Sequence, residues 1–331
     1  MKKIVIFGTG KAAKLHYLSY KKFLKPNLLF FVDPFHKTNY SGIKVYSTLK
    51  EFLNNTNYLP DDVIVDICTP CPIFHSIIEE CKSSGLVNII VEKPFVISRN
   101  ELKNKFSGLN ICMVQNYLYS DITKEIKEIM TENNLSIKTL TIDFSKNRII
   151  DSFNNRGMVK NYTTSVFEVE FPHELYIADY FLNLNKDFRI ISLNVKDMIK
   201  DGKVLKNHGY GQIVWKKDEK NVVLKSNLMY FTTIKRINIE FDDGKSLEAN
   251  YLIYDKDLNV LHKGNICFED KNSIIYHKEF SSDDNMLSCL KDYYYCFSLN
   301  KYNDKYKSRI VSFSNLMKTI EAKEKYYETS K

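Results

Sequence analysis

The sequence predicts a two-domain α/β protein: a doubly wound parallel sheet over residues 1–118, then an α/β domain with an open, mainly antiparallel sheet over 119–331. Three observations lead there. Short apolar runs alternate with helical patterns through the first third of the 331 residues, as βαβ units do. A glycine-rich turn, Gly8-Thr9-Gly10-Lys11-Ala12-Ala13, joins the first run to the first helix. Beyond residue 118 the strands lengthen and alternate apolar with polar residues, the pattern of a sheet covered on one face.

In order, Ile4-Val5-Ile6-Phe7 reads as a buried strand ended by glycines. A helix is expected from Ala12 to about Leu24, stopping before Pro26. Leu28 to Val32 is a second strand ending at Asp33, and Leu49 to Leu53 a short helix. Val63 to Ile67 is a strand followed by a proline-rich turn. The helix Ile73 to Ser84 stops at Gly85, a residue suited to the left-handed position after a helix. Val87 to Val91 is a strand, Ser98 and Glu101 form a capping box, and Ile111 to Val114 closes the series. A helix over Asp121 to Glu132 puts Ile122, Ile126, Ile129 and Met130 on one face. Leu140, Ile142 and Phe144 alternate in one strand; Ile237, Ile239 and Phe241 alternate in another that runs into the turn Asp242-Asp243-Gly244. Further strands are expected at 211–216, 221–230, 247–254 and 258–268, and a last helix from Ser314 to about Tyr327.

Composition excludes several classes. Hydrophobic residues are 44% and charged residues 27% of the chain, so a substantial core is available. No 18-residue apolar run is present, and the apolar stretch after Lys2 and Lys3 is too short for a secretory leader; a cytoplasmic protein with no membrane partner is expected. The net charge is +8, but it is spread as lysine among acidic residues, with only six arginines, which argues against a nucleic-acid partner. The seven cysteines hold a single CxxC, Cys68 to Cys71, with no second pair. A turn of small residues is favoured there over a redox or zinc site, and no metal is expected.

The chemistry starts at Gly8. Gly8 permits a tight turn, Gly10 lets backbone approach a pyrophosphate, and Ala13 allows close helix–strand packing. The helix then presents its N–H groups to phosphate. Asp33 ends the next strand, where a carboxylate accepts hydrogen bonds from ribose hydroxyls and repels a 2′-phosphate. NAD is therefore favoured; His36 and Lys37 nearby keep NADP open. Glu92-Lys93-Pro94 lies at the C-terminal end of a parallel strand, the edge where such sheets bind ligands; a solvated lysine at a strand end is the alternative. His173 is suited to acid–base work by its ordinary pKa, against a structural role at a helix start.

Together these segments resemble the Gfo/Idh/MocA oxidoreductase family, with its Rossmann domain, over nearly the whole chain. The G-x-G-x-x-A turn, Asp33-Pro34, Thr69-Pro70 with His75, Glu92-Lys93-Pro94, Gln115-Asn116-Tyr117 and Phe171-Pro172-His173-Glu174 follow the family's order. The resemblance implies cofactor contacts at Gly8, Thr9, Gly10, Lys11, Ala12, Asp33, Thr69, Pro70, His75, Glu92 and Lys93, which puts Cys68 and Cys71 beside the dinucleotide. It implies Lys93 and His173 as catalytic residues, with Tyr117, Tyr119, Glu170 and Tyr176 as substrate contacts, packing being the favoured alternative for each single tyrosine. The family's aspartate four residues before the histidine is Val169 here, with Glu168 and Glu170 flanking it, and its usual arginine is Leu118. The implied activity is NAD(P)-dependent interconversion of a hydroxyl and a carbonyl on a sugar, sugar derivative or cyclitol. Reduction of a C=N bond, and a non-catalytic cofactor-binding sensor, stand as alternatives. The open sheet face implies a homodimer or homotetramer.

Overall fold

A computed structural model describes residues 1–35, 42–56, 58–154, 164–255, 259–271 and 273–329. Two compact units form: Met1–Asn116 with Met286–Ser314, and Tyr117–Asn285 with Asn315–Lys331.

The first unit is built on β1 (Lys3–Phe7), β2 (Leu29–Val32), β3 (Val45–Tyr46), β4 (Val63–Ile67), β5 (Asn88–Val91) and β6 (Asn110–Met113). All pair in parallel in the order β3-β2-β1-β4-β5-β6. This is the Rossmann order, reversing between β1 and β4. Helices α1 (Lys11–Tyr20), α2 (Leu49–Asn54), α3 (Phe74–Ser83) and α4 (Arg99–Lys103) connect the strands. The central strands are buried on both faces, as their continuous apolar runs require. Gly85 takes φ +76° just past α3, and the Ser98–Glu101 capping box opens α4.

The second unit holds an eight-stranded sheet and a two-stranded one. The strands of the unit are β7 (Ile137–Asn147), β8 (Arg189–Lys200), β9 (Lys203–Lys217), β10 (Lys220–Asn227), β11 (Met229–Phe241), β12 (Ser246–Asn250), β13 (Ile253–Tyr254), β14 (Val260–His262), β15 (Gly264–Asp270) and β16 (Ser273–Phe280). The sheet order is β16-β15-β12-β11-β7-β10-β9-β8; β13 and β14 pair separately. Only β7 and β10 pair in parallel, so the sheet is mainly antiparallel as expected. Helices α5 (Asp121–Glu132), α6 (Ile149–Phe153), α7 (Val166–Val169) and α8 (Phe171–Leu182) accompany it. Helix α8 packs on β7 and β10, α7 on β9, and α5 on β15.

The chain then returns to the first unit, which a single boundary at residue 118 does not provide for. Helix α9 (Asn285–Ser298) buries Cys289, Leu290, Tyr293, Tyr294, Cys296 and Phe297. The Tyr293 hydroxyl donates to the Met113 carbonyl at 2.7 Å, and Tyr294 to that of Lys2 at 3.2 Å. Tyr302 accepts from Ile111 N at 3.1 Å and donates to Ile111 O at 2.9 Å, satisfying the open edge of β6 as a further strand would. In α10 (Asp304–Thr329), Ser314 Oγ accepts from Ile97 N at 3.0 Å. Among the described residues no helix is long and apolar enough to cross a membrane.

Candidate functional site

In the first unit the turn after β1 is shaped for close backbone approach. Gly8 has φ +95°, and a Cβ there would sit 3.2 Å from the Cys68 carbonyl oxygen. Gly10 is the residue before α1, with extended backbone, no side-chain cap and no acidic residue in the first helical turn. A Cβ on Gly10 would meet nothing within 4 Å. The helix thus presents uncapped N–H groups and the positive end of its dipole to open space, the requirements for phosphate. Lys11 is exposed, Ala12 half-buried and Ala13 buried.

The Gly8 turn leaves β1 and the Thr69-Pro70 turn leaves β4, the two strands between which the order reverses. That switch point is where open α/β sheets take ligands. The buried Thr69 Oγ1 has no hydrogen-bond partner among the described residues, which fits a hydroxyl waiting for a ligand group. The Thr9 hydroxyl donates to Asp33 Oδ2 at 2.7 Å and Phe35 N donates to Asp33 Oδ1 at 2.9 Å, so the carboxylate is aimed by its neighbours. His36 and Lys37 lie outside the described residues. The uncapped helix, the missing Cβ and the orphan hydroxyl together fit a dinucleotide. His75 is half-buried, packs edge-on against Phe95 and Phe106, and hydrogen-bonds the Val96 carbonyl at 3.3 Å.

Beneath this edge lies a buried network that the sequence reading missed. His16 on α1 is fully buried; its Nδ1 lies at hydrogen-bond distance from Asp66 Oδ2, 2.8 Å, and its Nε2 from Glu92 Oε1, 2.9 Å. Tyr20 donates to the same Asp66 oxygen at 2.9 Å, and Cys68 Sγ lies 3.2 Å from His16 Nδ1. Burial alone would depress the imidazole pKa, but Asp66 leads the opposing groups and lifts it well above 6.5. Burial likewise resists ionisation of Glu92, and His16 then Lys93 overcome it, lowering that carboxyl from 4.5. Glu92 Oε2 accepts from Lys93 N at 3.0 Å, and the Lys93–Pro94 peptide is cis. The network therefore fixes the backbone that carries Lys93. Ligand atoms of His16, Asp66 and Cys68 lie within 4.8 Å of one another, but both ring nitrogens already face a carboxylate at hydrogen-bond distance. Cys68 and Cys71 are both unbridged, and burial, then Asp66, pushes the Cys68 thiol far up, which opposes thiolate formation there.

The second unit carries His173 in the first turn of α8, after Pro172. Its Nδ1 and the Tyr176 hydroxyl are 2.9 Å apart, and that hydroxyl accepts from Tyr117 N at 3.2 Å. The imidazole is edge-on to Tyr117 at 5.1 Å and tilted against Phe144 at 6.3 Å. Tyr117 in turn packs on Phe144 and Tyr251, and burial pushes its phenol far up. Tyr119 is half-buried in the same short turn, Asn116–Tyr119. His173, Tyr117, Tyr176 and Phe144 thus form one cluster.

Glu168 and Glu170, the two acids beside Val169, are both engaged elsewhere. Glu168 accepts from Ser165 N at 3.2 Å in the capping box of α7. Glu170, 5% exposed, pairs with Lys146 Nζ at 2.6 Å and Arg148 NH1 at 3.6 Å. Glu174 is fully buried; burial, with Asp143 and Glu170 nearby, raises its pKa well above 4.5.

No family model matches the sequence, and no curated protein does. Solved structures share the fold throughout. The chain is similar to KijD10, a 3-ketoreductase from Actinomadura kijaniata crystallised with NADP and TDP-benzene, at 11% identity and a TM-score of 0.72, with 96% of each chain covered. It is similar to a putative NADPH-dependent oxidoreductase from Desulfitobacterium hafniense DCB-2, at 14% identity and TM-score 0.73 over 98% of this chain and 96% of that one. A dehydrogenase, MviM, from Clostridium difficile matches at 15% identity and TM-score 0.65 over 97% and 99%. The shared architecture is the doubly wound parallel sheet followed by the mainly antiparallel one.

Proposed function

We propose that the chain is a nicotinamide-dependent oxidoreductase of the Gfo/Idh/MocA type, interconverting a hydroxyl and a carbonyl on a sugar-like substrate. One observation carries the reading: the uncapped, acid-free start of α1 and the orphan Thr69 hydroxyl flank the switch point between β1 and β4. The fold-mates crystallised with NADP or described as NADPH-dependent support it.

A bound nicotinamide would supply the hydride chemistry. The protein's part is to hold and to protonate. Backbone N–H groups of the Gly8–Ala12 turn bind the pyrophosphate, Asp33 the adenosine ribose, and Thr69 with Pro70 the wall beside it. NAD is the first candidate because Asp33 repels a 2′-phosphate, with NADP retained. The Lys93 ammonium orients the substrate oxygen, and the His173 imidazole gives or takes its proton. Val169, lacking a carboxylate, keeps imine reduction as a second reading.

Binding comes first: isothermal titration should show one NAD(P)H site per chain, and a screen of NAD(P)H oxidation against ketoses, sugar acids, sugar phosphates and cyclic imines names the substrate. With that substrate, Lys93→Ala lowers kcat by about 10²–10⁴-fold, the range of positioned proton-transfer groups. Unchanged turnover removes Lys93 from the mechanism. We also place the protein in the cytoplasm and propose a homodimer or homotetramer. The second unit's sheet exposes Ile191, Ile199, Val204, Phe231, Ile274 and Ile275, apolar side chains that a second copy of the chain would cover. Sedimentation velocity at micromolar concentration should show no monomer peak; a monomer alone refutes the assembly.

A further inference from the structure

We infer that the second unit holds an anionic group of the substrate, a phosphate or a carboxylate, among Lys146, Arg148 and Lys235. The inference rests on the proposed reading that His173 serves a substrate, and it names the chemistry of that substrate.

Register builds the cluster. Phe144 and Lys146 are two apart on β7 and so share a face of the sheet. Lys235 on β11 pairs with Phe144, which puts it on that same face. Arg148 follows at the end of β7. Against these three cations stands one carboxylate, Glu170, bound by Lys146 at 2.6 Å and reached by Arg148 at 3.6 Å. Lys235 has no carboxylate within ion-pair distance among the described residues; its ammonium lies over the Tyr117 ring at 5.5 Å.

Among the described residues no other acid is ion-paired with these three cations. Asp143 faces the opposite side of β7 and is paired with Lys225 at 3.0 Å. Burial opposes ionisation of Glu174, and Glu168 accepts a backbone hydrogen bond in a helix cap. Burial brings Lys146 down to about 8, with Arg148 and Lys235 adding to it and Glu170 opposing, as expected for an ammonium drawn out of water. Glu170 brings one negative charge to three positive ones, and a second anion reduces the excess that remains. Lys146 and Arg148 remain 32% and 22% exposed, so a ligand can reach them. The cluster adjoins the imidazole: Glu170 O accepts from His173 N at 3.0 Å, and the ring under Lys235 is the one against His173. An anion held there sets the rest of the substrate beside His173.

The test is calorimetric titration of NAD(P)H-loaded protein with glucose 1-phosphate, glucuronate and glucose at low and high salt. At least one of the two anions should bind about tenfold or more tighter than glucose, the worth of a charge-assisted hydrogen bond, and that preference should shrink as salt rises. Whichever anion binds tighter identifies the group. Lys235→Met and Lys146→Met should each lose about tenfold of anion affinity with dinucleotide affinity unchanged, while Lys146→Arg retains it. Equal or tighter binding of glucose, absence of any anion binding, or wild-type anion affinity in both Met variants overturns the inference. Anion binding without any dinucleotide binding would instead overturn the oxidoreductase reading and leave the anion site standing.

Discussion

His173→Gln lowers kcat by about 10²–10⁴-fold, the usual contribution of a positioned general acid or base, with little change in dinucleotide affinity. Glutamine keeps a hydrogen-bonding group near the Tyr176 hydroxyl but has no titrating proton. The ring it replaces is fixed by that hydroxyl at 2.9 Å and by Tyr117 and Phe144 on its sides. Its geometry is thus set before any ligand arrives, which is the condition under which proton transfer is efficient. Tyr176→Phe removes the hydrogen bond and leaves the imidazole, so its loss of kcat should be smaller than that of His173→Gln. The diagnostic readout is the pH profile of kcat with the substrate found by screening. The wild type should show a limb set by the imidazole, and His173→Gln should lose it. Wild-type kcat in His173→Gln, with the limb retained, makes the residue structural.

The same residues show which parts of the molecule a linear sequence exposes. The strands β1, β4 and β5 were legible because a parallel strand buried on both faces must be apolar throughout. Helix α5 was legible to the residue because its buried positions repeat at helical spacing. The edge strand β8 was not. Two register shifts, at Ile190/Ser192 and Lys196/Met198, break the alternation that marks a strand. Strand β16 is mostly exposed and has no alternation to read. Helix α9 hid its buried face in tyrosine and cysteine, whose inward side became evident only when Tyr293 and Tyr294 met distant carbonyls. Within the candidate site, the Gly8 turn is contiguous and therefore visible. The cations are not: Lys146 and Lys235 are far apart in sequence and meet only through the β7–β11 register. One signal was present and unused. Asp66 is a charge in the middle of the run Val63-Ile64-Val65-Asp66-Ile67, and a carboxylate in a strand buried on both faces must have a partner. His16, a helical histidine facing the same sheet, was that partner.

The contribution of the His16 network to stability can be measured. Asp66→Asn should destabilise the protein by about 3–5 kcal/mol, the usual penalty for removing one member of a buried ion pair. For a 331-residue chain that is a fall in Tm of roughly 4–7 °C. Asp66 and Glu92 as carboxylates only accept, so both nitrogens of His16 must donate, and the ring is an imidazolium. Asparagine keeps the size of aspartate and removes the charge that offsets burial of that cation. The pH dependence follows from the directions of the shifts. His16 is raised above 6.5 in the folded state, so its contribution is complete below 6.5 and is lost as pH climbs through the higher folded value. Glu92 is lowered below 4.5, so its contribution is present above 4.5 and is lost as pH falls through the lower folded value. The network therefore stabilises most between 4.5 and 6.5. Urea unfolding of the wild type and Asp66→Asn across that window and above it should show the gap between them widest inside it and narrowing as pH rises. A gap that does not change with pH, or a variant as stable as the wild type, means that His16 is neutral in the folded protein and that the backbone carrying Lys93 is held by hydrogen bonds without an ion pair.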